Sequence, residues 1–371
     1  MEIDGQNKLV VFRVDASTII GAGHVMRCLT LANMLSDYGV ESCFVCRAHP
    51  AHMAQKIEAA GHQVHLLPRL CNVGAEGGNY EHKNIISWLG ATIADDASQT
   101  THYLQKSRPK WLIVDHFAID IVWEQAVKKE IDLKIMVIDG LANRKHDCDL
   151  LLDQTFSTLA GSRWKGLVPT ACQLFVGPKY ALLRPEFVEA CKNIQQRRGS
   201  IRRILIGFGG VDEPNATVQV IDALEGFTTN DILLEVIVGS DNPHKADILE
   251  NYSARERINI HVDPDNIAEL MASADLAIGA GGTMTWERCM LRLPSLIISI
   301  AENQIALAKA LDSISAAVYL GDLASISNEK IRNCVNELML DEQKLFKMQH
   351  ANAILMPQGD SSLVKFLVKD I

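Results

Sequence analysis

Phe12-Arg13-Val14-Asp15-Ala16, followed by Ile20-Gly21-Ala22-Gly23-His24-Val25-Met26-Arg27-Cys28-Leu29, decides the fold. The apolar run from Leu9 to Phe12 reads as a buried strand. It opens into a loop with Gly21 and Gly23, and a helix begins near His24 with Val25, Leu29, Ala32 and Leu35 on one stripe. Strand, glycine loop and helix start together point backbone N–H groups outward and favour an anion. His24 stands at the mouth of that loop, and histidine changes charge near neutral pH. The pattern predicts chemistry beside a phosphate. Each part also has a plainer reading. Gly-x-Gly relieves strain at many strand-to-helix turns, and a histidine can cap a helix. Arg13 and Asp15 can form a structural ion pair, and Cys28 reads as core.

The 371 residues predict about two domains with a sizeable core. Hydrophobic residues make up 48% and charged residues 22%, an ordinary globular balance. The net charge of −9 argues against nucleic acid as a partner and against a basic membrane-docking face. The first residues, Met1 to Lys8, lack the form of a signal peptide, and no apolar run approaches the ~20 residues of a transmembrane helix. Nine scattered cysteines suit a reducing cytoplasm, so the expected location is cytoplasmic, with no membrane insertion.

Cys43, Cys46, His49 and His52 have the spacing of zinc ligands. Ser42 to Arg47 reads as a strand, however, and residues three apart in a strand face opposite sides. No metal site is expected there. Asp147-Cys148-Asp149, after His146, reads as a solvated turn.

The chain alternates strands and helices. Strands are expected at Leu9–Arg13, Ser42–Arg47, Val64–Leu67, Trp111–Val114, Ile135–Ile138 and Leu150–Leu152. The helices between them are His24–Ser36, Met53–Ala60, Ile93–Lys106 and Ile119–Lys129. Cys71 to Tyr80 reads as a glycine-rich loop. A turn-rich crossing from Gly177 to Pro185 and a charged helix over Pro185–Arg198 separate the halves. The alternation then restarts at Ile201–Ile206, with a second glycine loop at Gly207-Phe208-Gly209-Gly210. Leu233–Val238, Ile258–Val262, Leu276–Ile278, Leu296–Ile300 and Ala317–Leu320 continue it. The fold class is therefore α/β, two doubly wound domains with a cleft at the carboxyl ends of their sheets. The expected division is 1–184 and 185–371, the last helices free to pack back on the first.

In the second half, Gly279-Ala280-Gly281-Gly282-Thr283-Met284-Thr285 follows a strand and Trp286-Glu287-Arg288-Cys289 enters a helix. Thr283 and Thr285 can donate hydroxyls or cap that helix. Glu287 either complements the helix dipole or accepts bonds from ribose hydroxyls while the loop holds a diphosphate. Ala301-Glu302-Asn303-Gln304 starts the next helix.

The Gly-Gly-Thr, Glu287 and Asn303-Gln304 arrangement resembles the nucleotide-binding half of two-domain glycosyltransferases of the MurG type. The opening motif, Arg13-x-Asp15 with Gly21-x-Gly23-His24-Val25-Met26-Arg27-Cys28-Leu29, resembles the UDP-2,4-diacetamido-2,4,6-trideoxy-β-L-altropyranose hydrolases of the pseudaminic acid pathway. Val114-Asp115-His116, Asp139 with Leu141 to Arg144, Leu152-Asp153-Gln154 and Gly177 to Phe187 extend the likeness over residues 9 to about 312. The resemblance implies a GT-B architecture, two Rossmann-like domains facing across a cleft. It implies His24 as the catalytic base. Arg13, Asp15, Gly21, Gly23, Arg27, Asp115, Phe117 and Arg184 would bind the sugar side. Gly209, Gly281, Gly282, Thr283, Glu287 and Asn303 would bind UDP. It implies no cofactor and no metal, a small-molecule UDP-sugar as substrate, and a monomer or weak homo-oligomer.

Two positions depart from the family pattern: Phe117 stands where a tyrosine is expected, and Gly140 where a second acidic residue would follow Asp139. The implied reaction is water attack at C1 with inversion. A glycosyltransferase, a UDP-sugar 2-epimerase and a non-catalytic nucleotide-sugar sensor remain alternatives, because fold alone does not separate them.

Overall fold

The computed structural model describes residues 8–70, 86–157, 162–194, 197, 200–228, 231–356 and 361–371. It divides into two compact units. One comprises Met1–Leu182 with Asp360–Ile371, and the other Leu183–Gly359. Arg184, expected on the sugar side, thus lies in the second unit, and the last helix lies in the first.

The first unit is built on a parallel sheet of seven strands among the described residues: β1 Leu9–Val14, β2 Glu41–Arg47, β3 Gln63–Leu67, β4 Trp111–Asp115, β5 Lys134–Ile138, β6 Leu150–Asp153 and β7 Gln173–Val176. Their order is β3-β2-β1-β4-β5-β6-β7. Helices α1 Gly23–Ser36, α2 Ala54–Ala59, α3 Ile93–Ser107 and α4 Ile121–Glu130 make the crossovers. Both faces of the sheet are covered. Val10, Phe12 and Val14 of β1 enter one core with Val25, Leu29 and Leu35 of α1, while Leu9 and Val11 enter another with Leu104 and Trp123. A strand buried on both faces must be apolar throughout, and Leu9-Val10-Val11-Phe12 is.

The second unit holds a six-stranded parallel sheet: β8 Arg203–Gly207, β9 Leu233–Val238, β10 Ile258–Val262, β11 Leu276–Gly279, β12 Ser295–Ser299 and β13 Val318–Asp322. Its order is β10-β9-β8-β11-β12-β13. Its helices are α5 Pro185–Lys192, α6 Ala216–Thr228, α7 Lys245–Tyr252, α8 Ile267–Ser273, α9 Met284–Met290, α10 Ile305–Ser313, α11 Asn328–Leu340 and α12 Glu342–Leu355. The final helix, α13 Ser362–Asp370, returns to the first unit. Leu363, Val364 and Leu367 join the core with α1, and the Asp370 carboxylate accepts from Trp111 Nε1 at 3.0 Å.

Four expectations change. Strand β7 is absent from the sequence reading because only four residues of mixed exposure form it. The helix expected over Pro185–Arg198 ends at Lys192. Beyond it Arg197 donates to the carbonyls of Met271, Ala272 and Ala274 at the end of α8 and of Leu291 at the end of α9, satisfying groups those helix ends leave open. Strand β8 starts at Arg203, not Ile201. Asp147-Cys148-Asp149 is not a solvated turn: Cys148 is buried, and both aspartates pair with Lys128 at 3.3 and 3.4 Å. Cys43 and Cys46 lie in β2 and enter opposite cores. Cys71 to Tyr80 lies outside the described residues.

Candidate active site

In a doubly wound sheet the chain builds outward from two central strands, and the loops at their carboxyl ends part to leave a crevice. In the first unit those strands are β1 and β4, with Val14 opposite Asp115. Asp15 follows the end of β1, Asp115 ends β4, and the loop through Gly21 leads into α1 at Gly23. Gly21 has φ +79°, which a side chain would strain, and its N–H closes the turn on Ser17 O at 2.8 Å.

His24, in the first turn of α1, meets Asp115 through Nδ1 at 2.5 Å across 91 positions of sequence. Arg27, one turn on, grips both oxygens of the same carboxylate through Nε and Nη2. Burial alone would raise the Asp115 carboxyl, but Arg27 and then His24 hold it well below the usual carboxylate range. An ionised carboxylate only accepts, so His24 Nδ1 carries the proton and Nε2 keeps its lone pair. Burial also lowers the His24 imidazole below its ordinary value, and Asp115 offsets only part of this. The result is a neutral, oriented base, the logic by which a carboxylate fixes the tautomer of a catalytic histidine. Arg27 is thereby committed to Asp115.

Phe117 stands edge-on to His24, ring centroids 4.7 Å apart, with Trp88 at 6.1 Å and the Arg144 guanidinium over its ring at 5.9 Å. Trp88 escaped the sequence reading because nothing in its local pattern marks it, and Arg144 entered only as part of the family likeness, with no role assigned. Arg144 itself is held by Asp139 at 3.0 Å. Asp139 also meets His146 Nε2 at 3.2 Å, and Glu124 meets His146 Nδ1 at 2.6 Å. Burial pulls the His146 imidazole down, but these two bonds outweigh it and raise it to about 9. The departure at Gly140 has a packing reason: a Cβ there would stand 2.5 Å from Thr155 Cγ2.

Arg13 and Asp15, expected on the sugar side, are both buried. Each is 0% exposed. Arg13 donates to Asp15 Oδ1 at 2.7 Å and to Asp96 at 3.0 and 2.5 Å. The plainer reading, a structural ion pair, describes them. Asp15 Oδ2 instead faces His116 Nε2 at 3.4 Å and His49 Nε2 at 4.0 Å, and all three atoms are buried without a hydrogen bond. His116 Nδ1 accepts from Ala118 N, so its Nε2 bears the proton and points at that oxygen.

In the second unit the central strands are β8 and β11, with Gly207 opposite Gly279. A Cβ on Gly279 would stand 2.3 Å from Gly207 O, so the two strand ends close up only because 279 is glycine. Gly209 lies in the loop after β8, and Gly281, Gly282 and Thr283 in the loop after β11. Neither threonine caps α9: Thr283 makes no side-chain cap bond, and Thr285 Oγ1 accepts from Arg288 at 3.0 Å. Glu287 Oε1 accepts from Arg184 Nε at 3.0 Å, while Oε2 is buried with no partner. Burial raises the Glu287 carboxyl, and Arg184 offsets part of that. Arg184 therefore sits with Glu287 in the second unit. Asn303 is exposed. Its neighbour Gln304, part of the sequence motif but given no role there, bridges the loops, its Oε1 accepting from Gly281 N at 3.3 Å and Ile300 N at 3.1 Å. Among the described residues no helix is long and apolar enough to cross a membrane.

Residues 204–363 match the glycosyltransferase family 28 C-terminal domain. Over 295 residues the chain is 26% identical to the UDP-2,4-diacetamido-2,4,6-trideoxy-β-L-altropyranose hydrolase of Campylobacter jejuni, covering 80% of this chain and 93% of that protein. It is 25% identical over 224 residues to the spore coat polysaccharide biosynthesis protein SpsG of Bacillus subtilis, covering 60% of this chain and 61% of that one. Among solved structures, MurG of Acinetobacter baumannii superposes with a TM-score of 0.63 at 14% identity, covering 97% of this chain and 99% of that one. UGT89C1 of Arabidopsis thaliana, solved with UDP, gives 0.68 at 13% identity, covering 98% and 99%. The chain therefore has the GT-B fold, carries a glycosyltransferase family 28 C-terminal domain at residues 204–363, and has the Campylobacter hydrolase among its relatives.

Proposed function

We propose that this chain is an enzyme acting on a UDP-sugar, and that it hydrolyses UDP-2,4-diacetamido-2,4,6-trideoxy-β-L-altropyranose to UDP and the free sugar. The observation that carries this reading is the His24–Asp115 pair, Nδ1 against the carboxylate at 2.5 Å, an arrangement that leaves Nε2 to act as the base. In the reaction His24 Nε2 takes a proton from water as the water oxygen bonds to C1. The C1–O bond to the diphosphate breaks, its electron pair leaves with UDP, and C1 inverts. UDP is already a good leaving group, so the base and the placement of the water are what the protein must supply. Phe117, Trp88 and Arg144 flank the sugar beside His24. In the second unit Glu287 Oε2 accepts from the ribose, and the backbone at Gly209 and Gly281 to Thr283 surrounds the diphosphate as its charge grows. Asn303 offers its exposed amide to the same nucleotide. The scheme assigns no step to a metal or cofactor.

The match to a glycosyltransferase domain favours one rival, a transferase in which the same base deprotonates an acceptor hydroxyl. Turnover in oxygen-18 water separates the two. Hydrolysis places label in the released sugar and none in UDP. Release of UDP without free sugar would establish transfer instead.

Glu287→Gln is expected to weaken UDP binding by about 1–3 kcal/mol, the cost of mispairing a buried polar group. Calorimetry with UDP alone measures this, and an unchanged affinity would move the ribose site elsewhere. Phe117→Tyr restores the hydroxyl typical of the resembled family and is expected to keep or raise kcat/KM. A loss of more than about 2 kcal/mol in folding stability would instead show a buried, unsatisfied hydroxyl and remove residue 117 from the site.

A further inference from the structure

We propose that Cys148 and Cys172 form an oxidation site, closing to a disulfide when the protein meets a peroxide or a small-molecule disulfide. Their Sγ atoms lie 3.6 Å apart, in thiol contact. The backbone around them is already paired. Gln173 N, next to Cys172, donates to Asp149 O, next to Cys148, at 2.9 Å, and the ladder continues from Leu150 opposite Gln173. Two cysteines at the entrance of adjacent strands need only bring their sulfurs to about 2 Å, the length of a disulfide.

The two thiols are not equivalent. Cys148 is 2% exposed, whereas Cys172 is half-buried and reachable from solvent. The hydrogen bond from Cys148 lowers the Cys172 thiol below its ordinary range, with His146 and Lys128 adding to this, while the same contact and burial raise Cys148. Cys172 is thus the attacking sulfur. Its thiolate displaces hydroxide from a peroxide and becomes a sulfenic acid. The Cys148 thiol then gives up its proton and attacks Cys172 Sγ, expelling water. Two thiols and one hydrogen peroxide yield one disulfide and two waters. With a small-molecule disulfide the route is a mixed disulfide on Cys172, resolved by Cys148 with release of two small thiols. Among the other described cysteines, Cys28, Cys43, Cys46, Cys191, Cys289 and Cys334 are buried, and burial raises each of their thiols. The geometry therefore makes the reaction selective.

The test treats the whole protein with hydrogen peroxide or oxidised glutathione, blocks free thiols, and maps peptides by mass spectrometry without reduction. The expected result is a peptide pair joining residues 148 and 172, about 2 Da lighter than the sum of its parts and separated by dithiothreitol. Cys172→Ser is expected to abolish it, and Cys71→Ser to leave it unchanged. The oxidised protein is also expected to unfold several degrees higher, since the bond shortens the loop of the unfolded chain. Sulfinic acid or glutathione accumulating on Cys172 without a link, or a link from either cysteine to Cys71, would overturn the proposal.

Discussion

His24→Asn is expected to lower kcat by roughly 10²–10⁴, the scale of a lost general base. The substitution keeps a polar group near Asp115 but removes the nitrogen that accepts the proton. UDP affinity is expected to stay the same, because the residues assigned to the nucleotide lie in the other unit. The pH profile provides an independent reading. The folded His24 imidazole lies below its ordinary value of 6.5, so the base is neutral at pH 7. As pH falls through its lowered value it protonates and kcat/KM drops, giving an acidic limb on the acid side of the ordinary imidazole value in the native enzyme. That limb is expected to vanish in His24→Asn. A variant retaining more than about a third of native kcat would end the assignment, since a positioned base contributes far more.

Asp96→Ala is expected to destabilise the first unit by about 3–5 kcal/mol, a large share of the stability of an ordinary domain. The Asp96 carboxylate is 0% exposed and accepts from Arg13 at 3.0 and 2.5 Å, from Trp123 Nε1 at 2.9 Å, and from Arg47. With Asp15 it balances the two buried guanidinium groups. Removing it leaves two cations facing one carboxylate, with no water to solvate the excess. Urea unfolding followed by tryptophan fluorescence reads this directly, because Trp88, Trp111, Trp123 and Trp164 all belong to the first unit. A loss below about 1 kcal/mol would mean that neighbouring groups relax to replace the carboxylate, and that Arg13 and Asp15 are not held by it. Such relaxation would reopen a substrate role for Arg13.

The alternation of apolar strands with amphipathic helices was legible because parallel strands buried on both faces must be apolar along their length. Leu9–Phe12 of β1 and Trp111–Val114 of β4 satisfy that condition, whereas β9 carries Glu235 within Leu233–Val238. The glycine loops were legible for the same local reason, since a chain turning at a strand end needs residues without side chains there. Strand β7 was not, because Gln173-Leu174-Phe175-Val176 is short, lies at the sheet edge and is only partly covered. The helix after Pro185 carried a continuous charged pattern, but it ends at Lys192, and Arg197 beyond it donates to carbonyls far away in sequence.

For the site, the sequence by itself determined which residue types stand at the strand ends: His24 after the first glycine loop, Asp115 at the end of β4, and Glu287 after the glycine loop that follows β11. It also brought Arg13 and Asp15 to one side of a strand, two residues apart. The tertiary structure alone decided who pairs with whom. His24 and Asp115 are 91 positions apart, Arg13 and Asp96 are 83, and Arg184 and Glu287 are 103. Those pairings clamp Arg27 on Asp115, hold Arg13 among buried carboxylates, and join Arg184 to Glu287 in the second unit. The physical reason is that a charged side chain's role depends on what else is buried around it. That environment is assembled by the strand order of each sheet, which no local pattern of residues encodes.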